Sequence, residues 1–126
     1  MLNRVSYLCL SMLFVSLSLS MTARAADDVD VTPLGDLSTY SALAGEAMKA
    51  LNADDLKGAK AKLRDVEGAW DDAEATMKPK SAAAWTFVDK KIDHALAAIR
   101  AAKPDTQKCK DAVQELIDSI ATPKKK

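Results

Sequence analysis

LKGAKAKLRDVEGAWDDAEATMKPKSAAAW, residues 56–85, is the stretch that decides the fold. Its apolar positions Leu56, Ala59, Leu63, Val66, Trp70, Ala73 and Met77 recur by threes and fours over three heptads, the period of one helix face. Pro79 has no N–H and cannot continue a helix, and the Ser81 hydroxyl can cap the next one. Lys78-Pro79-Lys80 is therefore expected to turn the chain between two antiparallel helices. Trp70 and Trp85 then fall on consecutive seams near the shared end, where buried indole area ties the hairpin together.

The same spacing continues outward. Leu37, Tyr40, Ala44, Ala47 and Leu51 mark a first helix, with Asp36 as its N-cap. Asn52 and Asp54 are the expected caps of the second. Trp85, Val88, Ile92, Ala95, Ile99 and Ala102 mark a third helix, and Thr106, Cys109, Val113, Leu116 and Ile120 a fourth. Pro104 and Asp105 open that last helix and Pro123 lies beyond its end. Strand signals are nearly absent. Four narrow apolar stripes with short connections predict an all-α, up-down-up-down antiparallel four-helix bundle over residues 37–121. At 1.5 Å per residue the second helix is about 36 Å long and the first only about 22 Å. Either the lead extends the first helix or one end of the bundle stays open.

Residues 1–25 read differently. Arg4 precedes an apolar run from Val5 to Leu19, and Ala23 and Ala25 provide the small residues of a signal-peptidase site, with Asp27 and Asp28 following. The run is short for a membrane span of ~20 residues. Cleavage after Ala25 and export to the periplasm are the expectation, with no stable membrane insertion. A polar lead, residues 26–36, then enters the bundle, and a basic tail, residues 122–126, leaves it.

Cleavage removes Arg4 and Arg24, leaving two fewer basic than acidic residues, a net charge of about −2 that gives no general attraction to nucleic acid. It also removes Cys9, so Cys109 has no internal disulfide partner. Its seam position predicts a small buried hydrophobe; the alternative is an exposed thiol pairing with another chain. The expected state is a monomer or weak dimer.

Two features bear on chemistry. Glu67, Asp71 and Glu74 form one line on the second helix, where Arg64 can meet Glu67 and Lys78 can meet Glu74. Asp89 and Asp93 form another line on the third helix. In an antiparallel hairpin Asp89 lies at the height of residues 67–71, so these five carboxylates are the candidate groove for a hard cation. His94, the single histidine, lies off the apolar stripe with no nucleophile or metal-binding partner in the pattern, which forms neither a catalytic triad nor a zinc site. Gly-rich phosphate loops and nucleophile elbows are absent from the sequence.

The stretch IDHALAAIRAAKPDTQKCKDAVQEL, residues 92–116, resembles the C-terminal hairpin of the periplasmic b-type four-helix cytochromes. The resemblance implies an exported bundle. That family ligates haem through a methionine of the first helix and a histidine of the last. Here residues 105–121 contain no histidine, Met48 lies toward the wrong end of the first helix and there is no CxxCH, so no haem or other cofactor is expected. The sequence thus predicts an exported, non-catalytic protein with a binding or accessory role toward an envelope protein or small ligand. The alternative is a periplasmic carrier of a cation or small ligand using the groove between the second and third helices.

Overall fold

The computed structural model describes residues 29–121. The expected signal peptide and cleavage site, the first part of the lead and the basic tail lie outside the described residues. Four helices follow a single turn of 3-10 helix at Thr32–Leu34: α1 Ser38–Asn52, α2 Leu56–Met77, α3 Ala82–Ile99 and α4 Thr106–Ala121. Each packs on its neighbours in sequence and α1 closes against α4, which makes the predicted four-helix bundle.

Capping explains where the helices start. Asp55 Oδ1 accepts the Gly58 N–H at 2.8 Å, Ser81 Oγ accepts the Ala84 N–H at 3.2 Å, and Asp105 Oδ1 accepts the Lys108 N–H at 2.9 Å. Each bond satisfies one of the amide donors that a helix N-terminus leaves without a partner. The expected cap of α1 is displaced: Leu37 holds the N-cap position and has no side chain that can cap, while Asp36, one residue earlier, accepts the Ser38 N–H at 2.9 Å.

The α1–α2 connection departs from the expected caps. Asp54 is left-handed, with φ 55°, and ends α1 instead of starting α2. Its N–H bonds the Leu51 carbonyl at 3.1 Å while the Asp55 N–H bonds the Ala50 carbonyl at 2.9 Å. That pair of bonds is the Schellman arrangement, which satisfies the last carbonyls of α1 and leaves the cap of α2 to Asp55.

The core is apolar throughout: among the described residues no polar or charged residue is buried. All five expected seam positions of α1 are buried, as are Ala59, Leu63, Val66 and Trp70 of α2. The stripes of α3 and α4 widen to include Ala84, Leu96 and Ala112. Ala102 is exposed, because α3 ends at Ile99 and the chain runs free toward Pro104.

The lead accounts for the short first helix. Val31, Leu34 and Leu37 are buried at the end of the bundle where the α2–α3 turn lies, and the 3-10 turn contacts α3. Residues 31–37 therefore contribute apolar core where α1 falls short of α2. Under this cover Trp70 stacks on Trp85, with ring centroids 4.1 Å apart and planes 13° apart, and Tyr40 meets Trp70 edge-on at 5.2 Å and 84°. Both arrangements suit the aromatic quadrupole.

Candidate functional site

The seam of α2 fixes its acidic flank. With Val66 and Trp70 facing the core, Glu67 is half-buried at the edge, and Asp71, Asp72 and Glu74 stand exposed. In α3, Trp85, Val88 and Ile92 face inward, which leaves Asp89 half-buried and Asp93 exposed beside the α2 flank.

Of the five predicted groove residues, three act on a fourth, Asp89. The Asp89 carboxyl titrates above the ordinary aspartate value, first because partial burial disfavours its charge and next because Asp93 lies near; Asp71 and Glu74 push in the same direction. The Trp70 indole N–H opposes part of this rise. Its Nε1 is nevertheless buried without a hydrogen bond of normal geometry, so it feels the carboxylate without being satisfied by it.

Glu67 leaves the group. Arg100 holds it with a two-pronged contact, 2.7 Å to Oε2 and 3.3 Å to Oε1, and this bond keeps the Glu67 carboxyl below the ordinary glutamate value. Arg64, the partner its spacing suggested, adds only a weaker field. The other expected helix pair does form, with Lys78 Nζ 2.7 Å from Glu74 Oε1.

Pairing thus divides the acidic surface. Glu46, Glu67, Glu74 and Glu115 each meet a lysine or arginine, whereas Asp71, Asp89 and Asp93 form no ion pair among the described residues. An open depression of about 580 Å³ runs along the end of α2, lined by Asp71, Asp72, Glu74, Ala75, Lys78 and Pro79. Asp89 and Asp93 lie outside that lining, so the carboxylates form a shared face and no enclosed cage. Among the described residues no group of three or more His, Cys, Asp or Glu side chains is positioned to hold a metal ion.

A second polar cluster joins α3 to α4. Glu115 Oε2 lies 3.4 Å from Lys91 Nζ and 3.5 Å from His94 Nδ1, and Lys91 sits 5.7 Å above the Phe87 ring. Lys91 and His94 are three residues apart on α3, but pairing them with Glu115 requires the register of α4, which spacing alone does not supply. Cys109 is buried at 1% exposure, in the seam as predicted, and burial pushes its thiol upward. Among the described residues no helix is long and apolar enough to cross a membrane.

No protein-family model matches the chain, and no curated protein or solved structure matches it either.

Proposed function

We propose that the protein is exported to the bacterial periplasm and acts there without catalysis, as a binding or accessory component of the envelope, with the acidic α2–α3 face as its contact surface. The observation that carries this reading is the gathering of Asp71, Glu74 and Asp93 around half-buried Asp89, with Glu74 alone of the four held in an ion pair among the described residues. Like charges gathered around half-buried Asp89 favour a cationic group brought from outside, and a basic segment of a partner protein fits a face that is open along its length. The resemblance of residues 92–116 to exported four-helix cytochromes agrees with the periplasmic placement.

A second reading, a carrier of a small cation, draws on the same crowding at Asp89, which a bound cation would relieve. Calorimetric titration separates the two. The mature protein is titrated with oligolysine and, separately, with calcium, iron(II) and copper(II), beside a variant with Asp71, Glu74, Asp89 and Asp93 all changed to alanine. Oligolysine heat that the variant loses supports the contact surface. Metal heat that the variant loses supports the carrier. Heats equal in both proteins, or no heat at all, overturn both readings.

A further inference from the structure

Four observations meet at Asp89. It is half-buried, it lies one helical turn beyond Trp85 on the same flank of α3, Trp85 is stacked on Trp70, and the buried Trp70 N–H lacks a proper acceptor. Around the carboxylate stand Asp71 and Glu74 from α2 and Asp93 from α3, with Lys78 at the end of α2 as the nearby cation. No other carboxylate among the described residues combines partial burial, like-charged neighbours and an indole beside it. Such a group has two electrically distinct states that differ in what they offer the indole: a charged acceptor, or a neutral acid.

We propose that Asp89 is a proton-operated switch: proton uptake there cancels the central charge of the α2–α3 face, alters the contact with Trp70 and weakens the hold of the face on cationic groups. Desolvation and the neighbouring carboxylates place this event at a pH above the ordinary aspartate range of about 3.9. The loss of affinity rests on the reading of the face as a contact surface, whereas the proton switch itself belongs to the unliganded protein.

Trp70 and Trp85 are the two tryptophans of the chain, so intrinsic emission reports on this cluster alone. The full mature protein is titrated from neutral to acid pH, without ligand, following tryptophan emission and the side-chain carboxyl carbon resonances of Asp89 by NMR. The expected result is an emission step at the same pH as the Asp89 resonance, above the ordinary aspartate value. Asp89→Asn removes the step; Asp93→Asn keeps it and moves it to lower pH by removing a like charge; Glu115→Gln, on α4 and paired there with Lys91, leaves it in place. An Asp89 resonance that titrates at or below the ordinary value overturns the proposal, as does an emission step that survives in Asp89→Asn with an unchanged midpoint. Because no ligand is present, either failure is distinct from a failure of the calorimetric test.

Discussion

Replacing Trp70 by alanine tests the account of the core at its most connected point. Trp70 is 1% exposed, stacks on Trp85 and receives the edge of Tyr40, so the substitution removes one large buried side chain and two ring contacts. Truncation of a buried tryptophan costs about 3–5 kcal/mol, and each ring pair adds ~0.5–1.5 kcal/mol beyond its area. Against this stands relief of the indole N–H, a buried donor without a proper acceptor that costs the native state about 1–3 kcal/mol. The ring-pair and indole contributions offset each other, and the balance is a loss of about 3–5 kcal/mol. For a domain of this size that corresponds to a fall in Tm of about 15–25 °C, out of a total stability of roughly 5–14 kcal/mol. Trp70→Phe keeps a ring on Trp85 and removes the orphan donor, so its loss stays below about 1.5 kcal/mol. Urea and thermal unfolding followed by far-UV circular dichroism measure both variants. A Trp70→Ala protein within ~1 kcal/mol of wild type, or a phenylalanine variant as damaged as the alanine one, would mean that the indole stack does not anchor the core.

Other changes test the remaining links. A Cβ at Gly58 would collide with the Asp55 carboxylate that caps α2, so Gly58→Ala destabilises by ~0.5–2 kcal/mol; at Gly45 and Gly68 a Cβ meets open space, and alanine there stabilises by ~0.5–1 kcal/mol in the same urea assay. Glu67, held by Arg100, and Glu46, held by Lys62, have carboxyls lowered from 4.5, so their stabilisation is present above that pH and is lost as pH falls through the lowered values. Asp89 has the opposite sign: its ionised form is disfavoured in the fold, so Asp89→Asn raises the neutral-pH urea midpoint, and the gain vanishes as pH falls toward 3.8. Cys109, buried in the seam, reacts with an aromatic disulfide reagent only on unfolding, and the protein taken from cells migrates identically on reducing and non-reducing gels; rapid native labelling would contradict its burial. N-terminal sequencing of periplasmic protein is expected to begin at Ala26, and an intact Met1 would overturn export by cleavage.

The three-and-four spacing made the bundle legible because each stripe recurs long enough to outweigh single exceptions, as Leu63, Val66 and Trp70 do in α2. Ala84, Leu96 and Ala112 escaped because they widen a stripe, and the width of a buried face depends on how closely neighbouring helices approach. Val31 and Leu34 escaped because a single 3-10 turn has no periodicity to detect. At the α1–α2 turn, three residues within four positions able to cap or to adopt special backbone angles, Asn52, Asp54 and Asp55, made the boundary ambiguous until the left-handed φ of Asp54 assigned it to the end of α1. Spacing also put Asp71 and Glu74 on one line of α2, Asp89 and Asp93 on one line of α3, and Asp89 at the height of residues 67–71, since that needs only helical period and an antiparallel turn; which flank of α3 turns toward α2 depends on side-chain packing and was not legible. The capture of Glu67 by Arg100 was hidden, because it depends on how a long side chain runs between helices after α3 has ended. The orphan Trp70 N–H was hidden for the same reason: a seam position states that an indole is buried and says nothing of which way its donor points.

The proposed contact surface on α2 and α3 is tested most directly by site-specific photo-cross-linking in living cells. A photoreactive residue at Ala75, within the acidic depression, is compared with one at Gln114, exposed on α4, the helix diagonal to α2. One discrete product is expected from position 75, lost when Asp71, Asp89 and Asp93 are changed to asparagine, and no such product from position 114. Equal products from both positions, or a product from position 75 that survives loss of the three aspartates, would contradict the proposed contact surface.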